Sequence, residues 1–248
     1  LSGHNMKPSG PRKGLRAPQR AGEDFKPLSG THPLYPIKNL AMEGGGARGL
    51  AYNGAIKALE AMGKGEGADG PDPEQQGVLA YISRFAGASA GSLVALQLAL
   101  GYTPDEIAEM AETTNMDKEM RDGPCGWCCC APSGLNLCCG LLKVFSCTYL
   151  HLNKCCCRER PLGLNPGKRL ERFIGKCIEK QTGCPDTTFK ELWELTGVEL
   201  CVVVCNFTSM TTEEWHVKTT PNKTLRDAVR ASMGLPFFCE CILQLGRP

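Results

Sequence analysis

Three observations predict an α/β domain built on a central, mostly parallel sheet flanked by helices. From Pro36 onward short apolar runs alternate with amphipathic segments, the rhythm of βαβ units. Two glycine-rich turns each stand between a strand pattern and a helix pattern. The run 200–205, Leu-Cys-Val-Val-Val-Cys, is wholly apolar and β-rich, as strands covered on both faces of a parallel sheet are. With 248 residues the chain has room for one large domain or two small ones at about 150 residues each. Its 42% hydrophobic and 22% charged residues place it among globular chains, and a net charge of +2 gives a polyanion little to hold, so no nucleic-acid partner is expected. The uncharged stretch 93–100 falls far short of the roughly 20 apolar residues that span a bilayer.

Along the chain, residues 1–36 carry Lys7, Arg12, Lys13, Arg16, Arg20 and Lys26 among Pro, Gly and Ser, and read as a disordered basic tail or a weak tether to an anionic membrane surface. Residues 37–43 predict a strand and 48–62 a helix. The Gly- and Pro-rich stretch 63–77 is a long connection, and 81–86 and 90–100 are the next strand and helix. Thr103-Pro104-Asp105-Glu106 is a helix start: a hydroxyl N-cap, proline at the first position and acids in the first turn. The Cys-rich stretch 123–160 interrupts the rhythm. Leu170, Phe173, Ile174, Cys177 and Ile178 then recur at helical spacing behind Asn165-Pro166. A strand over 200–205, a neighbouring strand over 215–217 and a short helix over 225–232 complete the reading.

The chemistry sits in the two glycine turns. Gly87-Ala88-Ser89-Ala90-Gly91 closes a strand and opens a helix, the context a G-x-S-x-G nucleophile elbow requires. Side chains at Gly87 and Gly91 would clash in so tight a turn, and the geometry lifts Ser89 into the open, next to the N–H groups of a helix start. As five residues the pattern also fits a small-residue helix entry. Gly44-Gly45-Gly46-Ala47-Arg48-Gly49 likewise joins strand to helix, and its successive N–H groups can form a nest for an oxyanion. The rival is a dinucleotide site, since Gly44, Gly46 and Gly49 satisfy G-x-G-x-x-G with Glu66 or Asp69 about 20 residues on. That reading leaves the later serine turn unexplained and puts its acid in a Gly-rich loop.

The stretch 38–92 resembles the start of a patatin-like phospholipase domain. Further blocks follow in order: Thr188-Phe189-Lys190-Glu191-Leu192 with Leu195-Thr196-Gly197, then 200–207, then Leu225-Arg226-Asp227-Ala228-Val229-Arg230-Ala231-Ser232-Met233 with Leu235-Pro236. The resemblance implies a three-layer fold over 37–248 with a Cys-rich insertion, and a Ser-Asp dyad acyl hydrolase needing no cofactor and no metal. Ser89 would be its nucleophile, Gly44 to Gly49 its oxyanion loop, and phospholipid or another acyl lipid at a peripheral membrane surface its substrate. Arg48 either lends its backbone N–H to the oxyanion or anchors the loop. A Ser-His-Asp arrangement through His216 is the alternative; otherwise His216 is a surface strand residue. The family's acid lies in an Asp-Gly-Gly or Asp-Gly-Ala triplet shortly past the position of Leu235-Pro236, and neither triplet occurs here. Beyond Arg230 the only carboxylate side chain is Glu240, which lacks the glycines, and Asp227 aligns with a different position. The expectation is therefore that the domain is incomplete and its acid lies beyond residue 248; a lipid-binding module without the dyad is the alternative.

Sixteen cysteines, ten of them between Cys125 and Cys157, leave four readings open. Zinc would need a spacing the run does not show, and adjacent cysteines pair poorly as disulfides. S-acylation would tie a cytoplasmic protein to a membrane, with Leu141, Leu142, Val144 and Phe145 and several basic residues close by. The fourth reading is a variable surface insertion or lid.

Overall fold

The computed structural model describes residues 14–20, 23–64, 76–122, 163–240 and 242. The Cys125 to Cys157 cluster, Glu66 and Asp69 lie outside these residues. The chain divides into two compact units. The larger holds residues up to Asn115 together with Glu171–Met233, and the smaller holds Met116–Leu170 and the residues from Gly234 on.

In the larger unit a four-stranded sheet runs in the order β3 (Asn39–Met42), β4 (Arg84–Ala88), β6 (Glu199–Asn206), β7 (Thr211–Trp215). Its first three strands are parallel, with Met42 opposite Gly87 and Ala88 opposite Val203, and β7 returns antiparallel to β6. Helix α1 spans Tyr52–Ala61, α2 Ala90–Ala99, and α3 Pro104–Thr113. The mixed α/β fold with a mostly parallel central sheet flanked by helices is the predicted one. Helix α2 packs against β3, β4 and β6. It is buried on every side from Gly91 to Ala99, as expected of a helix that is apolar all round. Met42, Phe85, Leu200, Val202, Val204 and Trp215 form the buried face of the sheet, at the period of two that strand geometry dictates.

Boundaries moved where glycine or polarity intervenes. The helix expected over 48–62 begins as a 3₁₀ turn, Gly46–Ala51, before α1. The strand expected over 81–86 runs from Arg84 to Ala88, and Tyr81 ends a buried 3₁₀ turn, Val78–Tyr81, instead. The strand expected over 215–217 is β7, ending at Trp215. Thr211, Thr212 and Glu214 are exposed, so this edge strand lacks the apolar run that marks β6. Thr103 caps α3 as predicted, accepting from the Glu106 N–H at 3.2 Å while the Glu106 carboxylate takes the Thr103 N–H at 2.9 Å.

Among residues 1–36, expected to be a disordered basic tail, those described are mostly exposed, with a short strand pair and isolated buried residues. Gln19–Arg20 (β1) pairs with Glu23–Asp24 (β2), Phe25 is buried, and the Leu28 N–H reaches Ala80 O at 2.9 Å. His32 is 2% exposed, accepts the Leu34 N–H at Nδ1, and lies edge-on to Tyr81. Phe25 and His32 are thus isolated buried residues in a basic, Pro-rich segment without periodicity.

Helix α5, Lys168–Thr182, matches the predicted periodicity. Helix α6, Phe189–Thr196, is capped by a Thr188 and Glu191 box and stopped by Gly197 in the left-handed region, and α7 spans Leu225–Ser232. The smaller unit contains α4 (Met116–Met120) and a parallel pair, β5 (Gly163–Asn165) with β8 (Phe237–Cys239). Among the described residues no helix is long and apolar enough to cross a membrane.

Candidate active site

Because β3, β4 and β6 are parallel, their carboxyl ends share one edge of the sheet. Strand β4 ends at Ala88, α2 begins at Ala90, and the reversal is made by Ser89 alone, at φ 50° and ψ −123°. A side chain in that region costs on the order of 1–3 kcal/mol and persists only where its surroundings impose it. Three contacts do so. The Ser89 N–H donates to Ser232 Oγ at 2.8 Å. Ser232 Oγ in turn donates to Val203 O at 2.6 Å, and the buried Ser92 donates to Ser89 O through Oγ at 2.6 Å and N–H at 2.9 Å.

The glycines explain why the turn can close. A Cβ at Gly87 would meet the Gly91 carbonyl and lie 2.6 Å from the Ser92 nitrogen, and one at Gly91 would meet Met42 O and lie 2.6 Å from Glu43 O. Both obstacles are backbone and cannot swing aside. The sequence-predicted residues Gly87, Ala88, Ser89, Ala90 and Gly91 thus form one tight strand-to-helix turn.

The structure brings the second glycine run to this elbow. A Cβ at Gly44 would stand 3.1 Å from Ser89 Cβ, and one at Gly49 would stand 3.2 Å from Ala90 Cβ. Gly46 has φ +55°, and the 3₁₀ turn it opens, like α2, starts with no side-chain cap among the described residues. Two helical starts without side-chain caps therefore meet at Ser89. Ala47 and Arg48 are exposed, and the Arg48 N–H is engaged with Gly45 O at 3.1 Å.

Other candidates fall elsewhere. His216 pairs with Glu199 at 3.5 Å beside the amino end of β6, the opposite end from Ser89. It lines an open cleft of about 350 Å³ with Arg84, Glu199, Cys201, Glu214 and Lys218. Glu199 there faces two cationic side chains, Arg84 at 3.4 Å and Lys218 at 3.2 Å, as well as the His216 ring. Burial and the nearby Glu214 and Glu199 carboxylates push the Cys201 thiol up. The Asp227 N–H caps onto Thr224 Oγ1 in the first turn of α7, and the Glu240 N–H donates to Asn165 O in the smaller unit. Among the described residues no cluster of His, Cys, Asp and Glu could hold a metal ion.

Ser232 is the site residue that sequence reasoning did not single out. It stands in the last helical block of the resemblance, where its hydroxyl looks like any polar position on a short helix. Ser232→Ala is expected to leave the Ser89 N–H and Val203 O without this partner, costing about 1–3 kcal/mol of stability. On the acyl-hydrolase expectation, ester turnover should also fall, through a loosened Ser89 turn. Denaturant melts with per-molecule activity would read both, and full activity in the variant would remove Ser232 from the site.

Ser89 is thus held in a strained strand-to-helix turn on the carboxyl edge of a mostly parallel sheet. The chain belongs to the patatin-like phospholipase family, whose profile matches residues 40–247. An uncharacterized protein of Acanthamoeba polyphaga mimivirus is 27% identical over 207 residues, 84% of this chain and 54% of that protein, so the chain spans about half the length of the curated relative it matches. Among solved structures, VipD from Legionella pneumophila is similar with a TM-score of 0.47 and 21% identity, over 92% of this chain and 47% of VipD. ExoU of the Pseudomonas aeruginosa type III secretion system, solved in complex with SpcU, is similar with a TM-score of 0.46 and 19% identity, over 86% of this chain and 39% of the other.

Proposed function

We propose that the chain carries the nucleophile of a serine lipid acyl hydrolase of phospholipase A type, Ser89. Ser89 Oγ attacks the ester carbonyl carbon, a C–O bond forms, and the carbonyl electron pair moves onto oxygen. The oxyanion is received by backbone N–H groups of the glycine loop. Because the Arg48 N–H is spent on Gly45 O, those of Gly45 and Gly46 are the loop's donors, joined by the start of α2. Collapse expels the alcohol, which takes a proton, and leaves the acyl group on Ser89. Water then attacks the acyl carbon, releasing the fatty acid and returning the proton to Ser89. The base that handles these protons is, on the family pattern, an Asp-Gly carboxylate, and we assign that role to no residue described here. Acyl chains of phospholipids present such esters at a membrane surface, where this protein would act peripherally.

One observation carries the reading: Ser89 at φ 50° between β4 and α2, with Gly44 against it. A fluorophosphonate probe tests it, because it reports a nucleophilic serine with no assumption about the lipid. On purified folded protein, covalent labelling is expected at Ser89, read by mass spectrometry of the peptide from Phe85. If the folded protein stays unlabelled there while other serine hydrolases in the same tube react, the lipid-binding module without a dyad becomes the better account.

A further inference from the structure

We propose that the β6–β7 turn, residues 207–210, is a lipid-docking tip that seats the Ser89 edge of the sheet on a phospholipid surface. The inference rests on the hydrolase reading for its choice of partner, and on topology for its place. Ala88 is opposite Val203, which puts Ser89 level with Val204; β6 continues two residues further, to Asn206, before turning. The tip therefore projects roughly 7 Å or more past the level of Ser89, at about 3.3 Å per residue. It does so one strand position away, about 4.8 Å across the sheet.

What the tip presents is apolar. Met210 is 78% exposed and Phe207 50%, in a turn whose remaining residues, Thr208 and Ser209, are uncharged. Leu50, 58% exposed, follows the glycine loop at the end of β3, so in strand order Ser89 lies between two exposed apolar points. Met210 also has φ +52°, a conformation that hairpin turns normally give to glycine or asparagine. An exposed methionine in a strained backbone serves neither the stability nor the solubility of this chain.

The turn is held rigidly in that pose. Asn206 Oδ1 accepts the N–H groups of Thr208 at 2.9 Å and Ser209 at 3.3 Å, and the Ser209 and Thr211 hydroxyls are 2.7 Å apart. Asn206 Nδ2 donates to Glu213 at 2.6 Å, and Trp215 Nε1 donates to the other Glu213 oxygen at 2.8 Å. These bonds hold the Glu213 carboxyl below the usual carboxylate range and pin the nearest acid of β7 by both oxygens. No carboxylate occurs between Asn206 and Thr212 to repel lipid phosphates. A short, uncharged tip with a hydroxyl fringe, a phenyl ring and a thioether suits the boundary between headgroups and acyl chains.

The test is a double variant, Phe207→Ser with Met210→Asn. Asparagine tolerates the left-handed region, so the turn keeps its shape while losing its apolar atoms. Partition onto phosphatidylcholine vesicles is measured by co-sedimentation for wild type, the double variant and Ser89→Ala, and turnover of a soluble short-chain ester is measured in parallel. Wild type and Ser89→Ala are expected to partition alike and the double variant about tenfold less, since two exposed apolar side chains no longer enter the lipid. The double variant should turn over the soluble ester within about twofold of wild type. Equal partition of wild type and double variant, or no wild-type partition, overturns the proposal, as does a parallel loss on the soluble ester. A wild type that binds vesicles through the tip but hydrolyses no ester would sink the hydrolase reading and leave the docking tip standing.

Discussion

Ser89→Gly is expected to abolish ester hydrolysis and, in the same protein, to raise the melting temperature. Loss of the nucleophile should lower turnover by at least about 10³-fold, because what remains after removing it is binding and oxyanion stabilisation alone. The stability gain comes from the backbone. At φ 50° and ψ −123° a serine sits in a region costing on the order of 1–3 kcal/mol, whereas for glycine the same angles mirror an ordinary extended conformation. The greater freedom of glycine in the unfolded chain takes back about 0.5–1 kcal/mol, leaving a net gain of about 1 kcal/mol, or a few degrees. Ser89→Ala supplies the contrast: equally inactive, but with its Cβ still in the strained turn and so no such gain. The pair separates chemistry from strain. Activity in either variant would dismiss Ser89 as nucleophile, and equal melting temperatures would show that the elbow backbone carries no strain.

The same residues show what a sequence can and cannot reveal about this fold. Elements announced by chain chemistry that acts locally were legible: the Thr103 cap with Glu106, the apolar run of β6, and the paired glycine turns. In the serine turn, glycine is forced at 87 by backbone four and five residues on, at Gly91 and Ser92, and at 91 by the Met42 and Glu43 carbonyls at the end of the next strand. What was illegible depends on partners far along the chain. Ser232 acts on Ser89 across 143 residues, and nothing local marks its hydroxyl. Strand β7 borrows its order from β6 by pairing, so its own Thr- and Glu-rich sequence looks like a loop. In the basic segment the buried residues Phe25 and His32 stand too far apart to set a period. The 3₁₀ start before α1 follows from the positive φ of Gly46, which motif spacing does not encode.

Gly91→Ala is expected to damage the site more than its single methyl suggests, because of where the methyl must go. The added carbon would press on the Met42 carbonyl and come within 2.6 Å of Glu43 O, at the point where β3 hands over to the glycine loop. Neither atom belongs to a flexible side chain, so either α2 or the end of β3 must shift by several tenths of an ångström or more. Overpacking of this kind costs about 1–3 kcal/mol. A displacement of about 1 Å between nucleophile and oxyanion donors costs on the order of 10² in rate. Turnover per folded molecule, measured well below the melting temperature, should therefore fall about 10²-fold while the protein remains folded but less stable. Gly54→Ala calibrates the result with the opposite sign: its Cβ meets nothing within 4 Å inside the exposed side of α1, and the change should stabilise the chain by about 0.5–1 kcal/mol with activity unchanged. If Gly91→Ala lost only stability and kept its per-molecule rate, the close approach of α2 to β3 would be a packing device, and the glycine loop would have no part in the reaction at Ser89.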